Sequence, residues 1–318
     1  MSAKISILGA GFIGKNLLNS YIDNNCLISV LDLSPCPDAF RNRVEWIHGS
    51  FGNSADVLRA IKGANIVFHL ISSTVPSDDV TENEEILNNV VQTLNLLKIC
   101  VQENVQRIIF ISSASVYGIQ HELPIYETAS TDPISSHGVH KLTIEKYLLL
   151  YKYKYSLNCK IMRLSNPYGF GQDIFGRQGL VSIGIGKILT GDALTIMGDG
   201  NAIRDFIYID DVIRACHLLA ETDAEEVVFN IGSGKGIRIN DVINEFQYFT
   251  KKPLKTHYVE GRKNDISASI LDVQKAKKAL GFRTNTTFKD GLKLTLSLYE
   301  KQYPQLQEFL ISDKIQTE

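Results

Sequence analysis

The sequence predicts an α/β protein, a doubly wound parallel sheet followed by a smaller C-terminal lobe. Three observations predict it. Short β-branched runs alternate with segments of helical spacing through the first half, a glycine-rich turn stands between the first run and the first helical segment, and the alternation breaks down after residue 165. The runs are KISIL (4–8), LISVL (27–31), VEWI (44–47), NIVFHL (65–70), RIIFIS (107–112) and CKIMRL (159–164). Between NIVFHL and RIIFIS, Ile86, Val90, Leu94, Leu97 and Val101 recur at helical spacing. Later, NPYGFGQ and MGDGNAIRD are rich in glycine and turn formers, with helices expected near 211–221, 240–250 and 272–280. Ligands of an open α/β sheet sit beyond the carboxyl ends of its strands, so the residues just after each run are the first candidates for a site.

The glycine turn is Gly9-Ala10-Gly11-Phe12-Ile13-Gly14. Gly9 permits a tight turn, Gly11 lets a pyrophosphate approach the backbone, and Gly14 lets helix and strand pack closely. Asp32 ends the second run, 18 residues after Gly14, where a carboxylate binds the hydroxyls of an adenosine ribose. Its charge would repel a 2′-phosphate, which favours NAD over NADP.

Composition narrows the partners. With 44% hydrophobic and 21% charged residues, 318 residues supply one large or two moderate cores. A net charge of −2 gives no electrostatic reason to expect nucleic acid or an anionic membrane, so an acidic ligand must be met locally. Cys26, Cys36, Cys100, Cys159 and Cys216 are far apart, without the paired spacing of a disulfide framework or a metal site. A reducing, cytoplasmic location is expected. The apolar start carries glycines at fixed positions and reads as structure, not as a signal peptide, and no apolar run approaches the length of a bilayer span.

The remaining motif is SSHGVHK (135–141). On a helix, His137 and Lys141 share one face a turn apart. With ISSASVYG (111–118), NVVQTLNLLKIC (89–100), RLSNPYG (163–169), MGDGNAIRDFIYIDD (197–211), FNIGSGKGIRIND (229–241) and GRKNDI (261–266), it resembles the extended short-chain dehydrogenase/reductase family, in its nucleotide-sugar 4-epimerase and dehydratase branch. The resemblance spans nearly the whole chain. It implies a Rossmann-type NAD domain of residues 1–165 plus about 203–232, and a substrate lobe of about 166–202 and 233–318.

By position in those motifs, Ser113 matches the family's hydroxyl residue and Lys141 the lysine of its Tyr-x-x-x-Lys pair, while His137 stands in the tyrosine's place. The resemblance implies that His137 is the general base and acid, with Lys141 also on the nicotinamide ribose. Tyr117, relayed by Ser115, is the alternative proton donor. It further assigns Phe12, Ile13, Ser50, Phe51, Leu70, Asn89, Ser112 and Pro167 to the cofactor, and Ser113, Asn166, Arg204, Arg262 and Asp265 to the substrate. Arginine's planar fork suits a nucleotide diphosphate. The activity implied is C4 epimerisation of a UDP-hexose or UDP-N-acetylhexosamine through a transient 4-ketone. The alternatives are reduction of a nucleotide-linked 4-keto-6-deoxy sugar such as dTDP-4-keto-6-deoxyglucose, and a silent NAD or nucleotide-sugar binding protein. The dehydratases' Thr-Asp-Glu triplet is absent, the strand exit reading SSASVYG. Apolar helices starting near residues 83 and 137 imply a homodimer, by the family's four-helix contact.

Overall fold

The computed structural model describes residues 3–24, 26–72, 81–251, 253–261 and 266–315. Strands form at the expected runs: β1 Lys4–Leu8, β2 Leu27–Asp32, β3 Glu45–His48, β4 Ile66–His69, β5 Arg107–Ser113 and β6 Cys159–Leu164. Joining them are α1 Phe12–Tyr21, α2 Ser54–Ile61, α3 Glu82–Ile86, which runs through a π-helical turn (Leu87–Val91) into α4 Gln92–Gln102, and α5 Ser136–Tyr155. The chain continues through β7 Asn166–Tyr168, α6 Leu180–Thr190, β8 Leu194–Met197, β9 Ile203–Tyr208, α7 Ile209–Glu221 and β10 Val228–Ile231. It ends with β11 Gly236–Arg238, α8 Ile239–Phe249, β12 Thr256–Val259, β13 Ala268–Ser269, α9 Gln274–Leu280, α10 Phe288–Gln302 and α11 Ser312–Ile315.

The main sheet has seven strands in the order β10-β6-β5-β4-β1-β2-β3, and every pair is parallel. Alternate side chains of each strand enter opposite cores. On β5, Ile109 and Ile111 pack with Leu17 and Leu18 of α1 and Leu219 of α7, whereas Ile108 and Phe110 pack with Ala60 of α2, Leu97 of α4 and Leu148 of α5. Each such fully buried Ile, Leu or Phe side chain contributes about 1.5–3 kcal/mol relative to exposure. The strand order reverses between β1 and β4, which opens a crevice at their carboxyl ends.

Two features differ from the sequence reading. The π turn adds a residue to one helical turn, so the face rotates: Val90, Leu96, Leu97 and Cys100 are buried, but Ile86 is 45% exposed. Segment 166–202, expected to be irregular, contains α6. Its sequence LVSIGIGKILT hides a helix behind β-branched residues and two glycines. Those glycines serve packing, since a Cβ on Gly184 would lie 2.9 Å from the Phe246 ring and one on Gly186 2.0 Å from the Ile174 carbonyl oxygen.

Beyond β6, β9 pairs with β7, β11 and β13, and β8 pairs with β12. Buried Asp205 on β9 fastens these pieces together, accepting from the Ser233 and Gly234 amides, the Ser233 hydroxyl and the Leu271 amide. Among the described residues no helix is long and apolar enough to cross a membrane.

Candidate active site

The glycine turn sits where the strand order reverses. Gly9 has φ +96°, open to glycine alone at little cost, and a Cβ on Gly14 would lie 2.0 Å from the Gly9 carbonyl oxygen. The N-cap of α1 is Gly11, with no side chain capping the first-turn amides. Asp32 both faces this turn and holds it: its carboxylate accepts from the Ala10 amide and the Ser34 amide, each at 2.7 Å.

Two adjoining hollows share Gly9, Gly11 and Leu70. One, of about 490 Å³, is lined by Asp32, Ser34, Ser50, Phe51, Asn88 and Gln92. The other, of about 630 Å³, is lined by Phe12, Ile13, Gly14, Ser112, Ser113, His137, Lys141 and Pro167. It also takes in Lys15, Ser72, Ser165, Gln172, Asp173, Arg177 and Gln178, which sequence reasoning did not single out. The glycine-rich run GFGQDIFGRQG was the available signal for most of these.

The start of α5 carries the ionisable pair. Ser135 caps the helix by accepting from the Gly138 amide at 3.2 Å. Gly138 lets this first turn press against β5's exit, since a Cβ there would lie 2.6 Å from the Ser115 carbonyl oxygen. That contact puts His137 and Ser113 in the same hollow. Burial, then the charge of Lys141, then His140 hold the His137 pKa down to about 4. Lys141 is buried and donates to the Ile111 carbonyl at 2.8 Å, with its ammonium 4.7 Å from the centre of the Phe110 ring. Burial brings its pKa down to about 8, against the pull of Glu145.

Glu145 is the next residue on that helix face. It pairs with Arg163, Nη2 to Oε2 at 2.7 Å, and accepts from the Ser112 hydroxyl at 2.5 Å. The network fixes α5 against β5 and β6. Ser113 Oγ accepts from the Ser115 amide (3.1 Å) and hydroxyl (2.9 Å), which leaves its own proton to donate into the hollow.

Beneath lies His69, fully buried between the rings of Phe51 and Phe110. Thr93 donates its hydroxyl proton to the Asn89 carbonyl, so the 2.8 Å contact from His69 Nε2 to Thr93 Oγ1 is donated by the histidine. Burial and Lys141 push its pKa down to about 3. Both histidines thus stay neutral in the folded chain but titrate near 6.5 when unfolded, and the unfolded chain binds more protons below that pH. Stability therefore falls as pH drops from 6.5 towards 4, by about 1.4 kcal/mol per pH unit for each histidine. Urea midpoints at pH 7 and pH 5 check this: the loss is smaller in His69→Gln than in the wild type, and equal losses contradict it.

Several expected site residues lie elsewhere. Tyr117 is wholly buried, donates to Asn230 Oδ1 at 2.6 Å and has the Arg163 guanidinium over its ring. Burial pushes its pKa up to about 12, so it neither faces the hollow nor titrates usefully. Asn89 is buried, with its amide donating to the Glu85 carbonyl, and the hollow is lined instead by Asn88. Asn166 donates to the Asp205 carbonyl, and its neighbours Ser165 and Pro167 face the cleft. Arg204 on β9 donates to the Ile203 carbonyl and lines neither hollow. Arg262 and Asp265 lie outside the described residues. Among the described residues no group of three or more His, Cys, Asp or Glu converges as a metal site.

A parallel sheet that reverses its order at a glycine turn, with a histidine and lysine facing the same crevice, is the architecture of a dinucleotide-dependent enzyme. The chain belongs to the NAD dependent epimerase/dehydratase family, whose sequence profile matches residues 5–232. It is 31% identical over 291 residues to a putative UDP-glucose 4-epimerase of Methanocaldococcus jannaschii, across 90% of this chain and 94% of that one. It is 29% identical over 295 residues to the dTDP-4-dehydro-6-deoxyglucose reductase of Escherichia coli, across 89% and 93%. Its structure resembles UDP-glucose 4-epimerase from Thermotoga maritima, solved with UDP-glucose, with a TM-score of 0.86, 32% identity and coverage of 94% and 99%.

NAD is therefore the cofactor, and the residues present fit it. A Cβ on Gly11 would meet nothing within 4 Å, so the space above the first turn of α1 is open to a pyrophosphate. Asp32, at the carboxyl end of β2, lines the adjoining hollow, where a carboxylate can meet the hydroxyls of a ribose.

Proposed function

We propose that the protein epimerises C4 of a UDP-hexose or UDP-N-acetylhexosamine, retaining its NAD, with His137 in the place the family gives to tyrosine. The observation that carries this is the convergence of His137, Ser113 and Lys141 in the hollow that also contains the glycine turn. NAD, held by the glycine turn, Asp32 and Lys141, would supply a reversible hydride acceptor for C4. His137, neutral above about pH 4, accepts the C4 hydroxyl proton. Ser113 donates a hydrogen bond to the same oxygen. Lys141 supplies positive charge beside both groups and binds the nicotinamide ribose. Gly11, Phe12 and Ile13 receive the pyrophosphate, and Asp32 the adenosine ribose. Within this reading residues 1–165 and about 203–232 carry NAD and the remainder the sugar nucleotide, in the cytoplasm where such substrates are made.

The test is incubation of purified protein, without added cofactor, with UDP-glucose and with UDP-N-acetylglucosamine. A C4 epimer of either supports the reading. The similarity to the Escherichia coli reductase favours a second one, reduction of a 4-keto-6-deoxy nucleotide sugar. Consumption of one NADH per sugar, with no epimer formed, would establish that reading instead.

The proposed assembly is a homodimer through α3 to α5. Ile86, Leu87, Val91, Val139, Leu149 and Leu150 are exposed there, and Leu142, Thr143, Lys146, Tyr147 and Leu150 line a shallow groove. Sedimentation at micromolar concentration is expected to give twice the 35.5 kDa chain mass, and Leu150→Glu to give the single chain. A monomeric wild type contradicts this assembly.

A further inference from the structure

We infer that the segment from Phe170 to Gln178 is a strap across the pyrophosphate of NAD, and that Arg177 on the strap and Lys15 on α1 slow the cofactor's release. The inference rests on the NAD trough assigned above and concerns how long the trough holds its occupant. Gly169, at φ +145°, turns the chain out of β7 towards the glycine turn. There Asn16 latches it: one amide group donates to Phe12 of its own helix at 2.9 Å and to the Phe170 carbonyl at 3.1 Å. Gly171 completes the contact, since a Cβ on it would lie 3.2 Å from the Asn16 amide nitrogen.

The other fastening comes from α10. Tyr299 accepts from the Gly171 amide at 3.1 Å, donates to the Gln172 carbonyl, and packs its ring 5.0 Å from that of Phe170. The strap is also stiff within itself. Asp173 accepts from the Phe175 amide at 2.9 Å, and the Gln172 side chain lies where a Cβ on Gly179 would be. It therefore spans from α10 to the first turn of α1, the turn whose uncapped amides face the open space above Gly11.

Arg177 on the strap and Lys15 on α1 both line this hollow, and both are exposed. A pyrophosphate carries two negative charges in a protein whose net charge is itself negative. Two cations from separate elements lining the same hollow meet that charge locally. A dinucleotide so enclosed leaves only after the Asn16 and Tyr299 fastenings part, which is the behaviour a cofactor regenerated within each turnover requires.

The experiment measures NAD release from the NAD-loaded protein, by dilution into an NAD-consuming enzyme, for wild type, Asn16→Ala, and the double variant Lys15→Gln/Arg177→Gln. The double variant is expected to release NAD about tenfold faster, with a weaker dependence on ionic strength than the wild type. Asn16→Ala releases faster with its salt dependence intact, and Arg177→Lys restores most of the retention. Unchanged release in the double variant, with a raised KM for the UDP-sugar, overturns the inference and gives these cations to the substrate. The ratio of variant to wild-type rates tests the strap. The wild-type rate against turnover tests the epimerase reading separately, so that either can fail alone.

Discussion

His137→Ala lowers kcat by about 10²- to 10⁴-fold, the range a positioned general base contributes, while NAD stays bound. The substitution removes the proton acceptor but touches neither the glycine turn nor Asp32, so cofactor content measured after denaturation remains that of the wild type. His137→Tyr separates loss of a proton carrier from loss of shape. A phenol at this position, with the Lys141 ammonium a turn away, retains or exceeds wild-type turnover and shifts the acid limb of kcat/KM upwards. The wild-type acid limb is expected near pH 4, where His137 gains its proton, and the alkaline limb near pH 8, where Lys141 loses its own. Wild-type turnover in His137→Ala would remove the imidazole from the mechanism.

Lys141→Met is expected to lower kcat by about 10²-fold or more and to weaken NAD binding as well. The methionine keeps most of the volume but leaves the Ile111 carbonyl without its donor and the Glu145–Arg163 pair without a neighbouring cation. It also removes the charge that helps hold the His137 pKa down, so any residual activity has an acid limb above the wild-type one. An acid limb that stays in place, with full NAD content, would show that Lys141 acts on neither group.

The seven-stranded sheet was legible because its physics is local. Buried parallel strands read as β-branched runs, and the close approach of Gly14 to Gly9 leaves room for no other residue at that position. The C-terminal lobe was less so. The α6 helix consists of residues that favour strands and turns, and only its packing on Phe246 and Ile174 makes it a helix. Across a π turn, the wall of the hollow beside Asp32 is formed by Asn88 and not Asn89, a rotation that no spacing rule contains. Tyr117 carried the right chemistry in the right stretch, yet its hydroxyl turns towards Asn230 on the edge strand β10, a neighbour more than a hundred residues away in sequence. The strap is invisible for the same reason, since Asn16, Phe170 and Tyr299 meet only in the fold.

The central claim, a C4 hydrogen that leaves and returns within one active site, is tested most directly with UDP-glucose or UDP-N-acetylglucosamine deuterated at C4. The protein is incubated with no added cofactor, and the epimer is read by mass spectrometry. The account predicts product that keeps its deuterium at C4. Product carrying protium there, or no epimer from protein that holds NAD, would contradict it.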